Sequence, residues 1–205
     1  MAKGKNKINS KIMLTIDMSN TYNIPIIITN HICEILYMTN ISKPPCITSY
    51  ILRHNVLNQI DDLIQTYNVD TILFEKNKLF LDKIDKYPDT YVLRDIFLGF
   101  GVQVAIEDKY YEKLTLISLP EYDWKNSILG NKNRYAIDLY KSHILNRTDI
   151  PIKYLVNIEN NNYYKAICLS ESILFDNLMD KKYQINKGDL KNWVRIISRR
   201  ELVKF

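Results

Sequence analysis

Three acidic residues stand where an α/β fold gathers its chemistry. Asp17 ends the apolar run KIMLTID (11–17), Glu75 ends VDTILFE (69–75), and Glu171 lies inside LSESILF (169–175). They are far apart in sequence, yet in an open α/β sheet the ends of neighbouring strands converge at one edge. A helix packed across that edge brings in a third carboxylate. Carboxylates held close together raise one another's pKa unless a cation neutralises them, and the expected neutraliser is Mg²⁺ or Mn²⁺, hard ions that favour carboxylate and water oxygens. Two such ions about 3.5–4 Å apart activate a water and stabilise the leaving oxygen of a phosphodiester. Each acid also has a plainer reading. Asp17 fits a turn-initiating side chain, Glu75 a solvated strand end beside Lys76 and Lys78, and Glu171, between Ser170 and Ser172, a partly exposed helix residue.

The elements that position these acids follow from hydrophobic spacing. Residues 11–17 read as a strand and 18–23 as a polar turn. The β-branched runs 24–29 and 31–38 continue an antiparallel meander, with Pro25 marking an edge or strand-start position. From 48 to 68, Ile51, Val56, Leu57, Ile60, Leu63, Ile64 and Tyr67 recur at three- and four-residue spacing, which predicts an amphipathic helix. Its short link into 69–75 predicts a crossover, and hence parallel neighbours in the sheet. A second helix is predicted over 87–100 with a strand over 102–107, then a strand or packed loop over 114–119. Further helices are predicted over 131–146 and 163–179, with strand-like or irregular chain over 152–158. The expected organisation is a basic tail (1–10), one α/β domain (11–180) and a basic extension (181–205), without internal repeats.

Composition narrows the classes. The chain has 205 residues, 46% hydrophobic and 25% charged, with a net charge of +5, which describes a globular chain and excludes a disordered or collagen-like one. No apolar stretch reaches the ~18 residues of a transmembrane helix, and the start lacks the pattern of a signal peptide. The expectation is a soluble cytoplasmic protein, of a bacterial cell or a virus-infected host cell. Cys33, Cys46 and Cys168 form no CxxC pair and read as free thiols. His31, His54 and His143 lack metal-ligand spacing. No phosphate-binding loop, dinucleotide fingerprint or GxSxG elbow is present. Lys125, Lys132, Arg134 and Lys141 are interleaved with Trp124, Tyr135 and Tyr140, a pattern that tracks a phosphate backbone and stacks on bases, or equally that of a solvated helix with core aromatics.

These segments resemble the RNase H-like superfamily and, within it, the RuvC-like Holliday junction resolvases, particularly divergent phage or viral members. LTIDMSNT (14–21) is similar to the family's first-strand motif. TILFEK (71–76) is similar to the strand that ends in glutamate after the first crossover helix, LPEYDWKNSILGNKNR (119–134) to its basic segment, and LSESILF to the opening of its last helix. The resemblance implies an RNase H-like mixed sheet, an antiparallel meander followed by parallel strands, flanked by helices. It also implies Asp17, Glu75 and Glu171 as ligands of two metal ions, a homodimer, and hydrolysis of branched DNA. The chain departs from the pattern in two places. The last helix of the family carries two acids three residues apart, whereas Cys168 stands three before Glu171, and a shifted alignment puts Asn162 and Lys165 at the acid positions. The glycine after the first motif is replaced by Tyr22-Asn23. The leading expectation is a metal-dependent junction endonuclease. The second is a nucleic-acid-binding protein that keeps the fold without metal chemistry, and the third a nuclease of RNA–DNA hybrids or single strands.

Overall fold

A computed structural model describes residues 11–18, 23–42, 49–76, 101–129, 141–142, 144–147, 150, 163–175 and 185. A five-stranded mixed sheet forms its centre, in the order β3-β2-β1-β4-β5. The strands are β1 (Met13–Ile16), β2 (Asn23–Thr29), β3 (Ile35–Ser42), β4 (Thr71–Lys76) and β5 (Thr115–Pro120). β1, β2 and β3 pair antiparallel, while β4 is parallel to both β1 and β5. The predicted meander followed by parallel strands is the observed topology. Helix α1 (Ser49–Tyr67) links β3 to β4, α2 (residues 101–110) precedes β5, α3 (Glu121–Leu129) follows it directly, and α4 (Tyr163–Phe175) lies farthest along the chain.

Strand alternation divides the core into two layers. Leu14, Ile16, Ile24, Ile26, Ile28, Ile72, Phe74 and Leu116 face α1 and α2, meeting Val56, Ile60, Val102, Ile106 and Tyr110. Met13, Ile27, Leu73, Ile117 and Leu119 face the other way, against Trp124 of α3 and Ala166, Ile167 and Leu169 of α4. Helices thus cover both faces of the sheet, as parallel strands require.

Local sequence sets the element ends. α1 stops at Asn68, whose φ of 54° is left-handed, and the Val69 amide donates to the Ile64 carbonyl at 3.2 Å. This is the six-residue closing bond of a Schellman ending, which Asn tolerates. Pro25 lies in β2, an interior strand, close to its start. Its carbonyl accepts the Asp17 amide at 3.2 Å, but proline has no N–H to return the bond, so the β1 ladder ends at Ile16.

Two sequence expectations change. Residues 102–107 are helical, inside α2. The alternation in VQVAIE suggested a strand, but Val102, Ile106 and Tyr110 recur every four residues and all three are buried. Ile51, assigned to the inward stripe of α1, is 46% exposed. The predicted helix over 87–100 and the segment 152–158 lie outside the described residues. Of 131–146, residues 141–142 and 144–145 are helical. Ile185, from the segment expected as an extension, donates its amide to the Leu116 carbonyl at 3.1 Å and packs on the α1–α2 layer.

α1 and α2 are tied by Asp61, which pairs with Lys109 and accepts the Tyr110 hydroxyl at 2.7 Å. Partial desolvation raises the Asp61 pKa, but the bonds from Lys109 and Tyr110 outweigh it and hold the carboxyl below its usual range. A depressed folded-state pKa supplies stability above the unfolded pKa of about 3.9 and loses it as pH falls through the folded value. Urea unfolding of wild type and Asp61→Asn should therefore differ at pH 7, with the gap closing towards pH 3. An equal gap at both pH values would show that the substitution acts through packing alone.

Candidate active site

Register brings two of the three acids together. Thr15 pairs with Leu73 and Ile16 with Phe74, so one more step sets Asp17 beside Glu75, about 4.8 Å away across parallel strands. Period-two alternation places both side chains on the α4 face with Thr15 and Leu73. Both carboxylates are largely buried, with side chains 5% and 12% exposed, and such groups need partners.

Lys165 of α4 is a partner of both. Its Nζ lies 3.1 Å from Glu75 Oε1 and 3.4 Å from Asp17 Oδ1, bridging the two strand ends. The other oxygen of Glu75, Oε2, accepts the Trp124 indole N–H at 2.9 Å. One carboxylate is thus oriented from both sides by protein donors.

Glu171 is not brought to this edge. It follows Lys165 by six residues, roughly 9 Å along the helix axis and about 120° around it. Its neighbour Ser170 shares a 3.0 Å hydrogen bond with Thr29 Oγ1, and the Ser170 carbonyl accepts the Cys33 thiol at 3.4 Å. Thr29 pairs with Met13 at the opposite end of β1. There Glu171 forms a buried ion pair with Arg147, their side chains 7% and 16% exposed. Among the described residues no group of three His, Cys, Asp or Glu side chains is placed to hold a metal ion. The expected three-acid cluster does not assemble because the helix position facing Asp17 and Glu75 is Lys165.

The other sequence candidates separate in the same way. Trp124 is fully buried and its N–H is bound to Glu75, so it is a core and site-orienting residue, not the stacking surface expected from its basic surroundings. Lys125 Nζ lies 5.8 Å from the Trp124 ring centre and Lys141 Nζ 5.5 Å from that of Tyr164. Lys132 and Arg134 lie outside the described residues. Cys33 and Cys168 are free and buried. Burial raises both thiols, that of Cys168 to about 12 against the opposing charge of Arg147, so neither is a nucleophile at neutral pH. Cys46 is outside the described residues. Arg147 had no sequence signal beyond its charge, and Lys165 had one: the shifted alignment that put it at an acid position.

No protein-family model matches the chain, and no curated protein matches it. Its structure is similar to that of RuvC from T. thermophilus in complex with a Holliday junction substrate, at 7% identity and a TM-score of 0.55, with 85% of this chain and 99% of that one covered. It is also similar to a second structure of Thermus thermophilus RuvC, at 8% identity and a TM-score of 0.53 over the same shares. The fold is thus RNase H-like, in the arrangement that RuvC has. No helix among the described residues is long and apolar enough to cross a membrane.

The divalent ions implied by that fold family can be tested against the residues present. An ion bridging Asp17 and Glu75 needs carboxylate oxygens at about 2.0–2.1 Å for Mg²⁺. The position within reach of both is taken by the Lys165 ammonium, itself a cation. Two cations at one place repel strongly in a poorly solvated site, so this arrangement does not fit a metal ion.

Proposed function

We propose that this chain is a RuvC-like protein that binds branched DNA as a homodimer without hydrolysing it. The observation that carries the reading is the Lys165 ammonium between Asp17 and Glu75. It sets a fixed positive charge between the acids where a hydrolytic site needs an activating ion. Support for DNA as the partner comes from the likeness of fold to a RuvC–Holliday junction complex, and from the excess of basic over acidic residues, 28 to 23. A symmetric four-way junction suits a two-fold protein, and recognition would rest on shape and phosphate contacts.

The second reading is a Mg²⁺- or Mn²⁺-dependent junction endonuclease with Asp17 and Glu75 as ligands. The convergence of these acids at the ends of adjacent parallel strands favours it. One assay separates the two: binding and cleavage of a labelled four-way junction, matched linear duplex and RNA–DNA hybrid, in EDTA, Mg²⁺ or Mn²⁺. The expected result is junction-selective binding in EDTA that weakens steeply with salt, with every strand intact in either metal. Paired metal-dependent cuts lost in Glu75→Gln would establish the endonuclease. Equal affinity for junction and linear duplex would overturn branched DNA as the ligand.

A further inference from the structure

We infer that Lys165 is a built-in replacement for a divalent cation, and that the Asp17–Lys165–Glu75 edge is a latent metal centre lacking one carboxylate. The inference rests on reading Asp17 and Glu75 as the site, but it does not depend on DNA binding. Lys165 Nζ is 3.1 Å from one carboxylate and 3.4 Å from the other, the location a bridging cation takes. Its side chain is 20% exposed while those of Asp17 and Glu75 are 5% and 12% exposed, so the lysine stands on the solvent side of the acid pair. Glu75 is held in orientation by the Trp124 N–H on Oε2, leaving the Oε1 side towards the lysine. Two residues before Asp17, on the same face of the sheet, the Thr15 hydroxyl is fully buried and has no hydrogen-bond partner among the described residues, a further oxygen one strand repeat from the acids. A carboxylate at position 165 would therefore set three acids on one face around a position already shaped for a cation. Hard-ion sites are built from such oxygen sets. As the chain stands, the tethered ammonium performs the electrostatic task of the ion, while an ammonium has no coordinated water to ionise.

The test needs only the protein and the metal. Thermal unfolding is followed for wild type, Lys165→Glu and Asp17→Asn/Lys165→Glu in EDTA and in rising Mn²⁺. Wild type should keep the same Tm throughout. Lys165→Glu should melt lower than wild type in EDTA and rise by several degrees, saturably, with Mn²⁺, because an ion that binds only the folded state stabilises it by mass action. The double variant should lose that gain. If Lys165→Glu is unfolded in EDTA, recovery of its native circular dichroism on adding Mn²⁺ supports the inference, and failure to recover counts against it. A saturable Mn²⁺ shift in wild type that Asp17→Asn abolishes would overturn it, as would a folded Lys165→Glu indifferent to Mn²⁺. Loss of junction selectivity alongside these metal responses would remove the DNA reading and leave the latent centre standing.

Discussion

Lys165→Met is expected to destabilise the protein by about 3–5 kcal/mol, the range seen when one member of a buried ion pair is removed and the other charge is left behind. Here the loss is of a shared partner, since both Asp17 and Glu75 approach the same ammonium. Methionine retains much of the side-chain volume, so packing contributes little and the cost is electrostatic. The signature is therefore recovery. Asp17→Asn or Glu75→Gln added to Lys165→Met should restore a large part of the stability, because each removes a charge that the ammonium no longer offsets. Urea unfolding at pH 7 followed by circular dichroism measures all of these variants, and additivity across the set would refute a shared ionic cluster.

Trp124→Ala should cost a comparable amount, about 3–5 kcal/mol, as expected for deleting a large buried aromatic. Trp124 is fully buried in the layer between the sheet and α4. Trp124→Phe divides the effect. It keeps most of the apolar contact and removes only the N–H that binds Glu75, for which about 1–3 kcal/mol is the expected cost of leaving a largely buried acceptor short of a donor. The two variants should also differ in proteolysis, Trp124→Ala loosening the α3–α4 layer and Trp124→Phe leaving it closed. Equal destabilisation by both would show that the indole N–H contributes most of what Trp124 supplies.

Much of the sheet was legible because strand burial leaves a plain mark. KIMLTID and VDTILFE each carry an apolar run stopped by an acid, and those acids prove to be neighbours. Residues 102–107 misled because six alternating residues fit both a strand and one side of a helix, and the deciding residue, Tyr110, lies beyond them. The third partner of the site was hidden for a different reason. In α4, Tyr163, Tyr164 and residues 166–172 are all buried, the serines and Glu171 included.

 With burial on all sides, the helix has no polar stripe to reveal which face meets Asp17 and Glu75. Glu171 therefore read as the facing residue because it is the acid, whereas the helix phase set by packing gives that place to Lys165. Trp124 was misread by its neighbours: an aromatic among lysines looks alike in sequence whether its ring points outward or into the core.

α4 is held near one end of the sheet by Lys165, which bridges the ends of β1 and β4, and near the other by the Ser170–Thr29 hydrogen bond, with the Glu171–Arg147 ion pair next to it. A helix clamped at one point can pivot or slip by a turn against the layer beneath it, but one clamped at two points about 9 Å apart along its axis behaves as a beam across the sheet. Any sliding motion would have to break both clamps together, so the spacing between the acid pair and the opposite end is mechanically fixed. Whatever touches α4 would therefore meet a helix held in fixed register with the sheet beneath it.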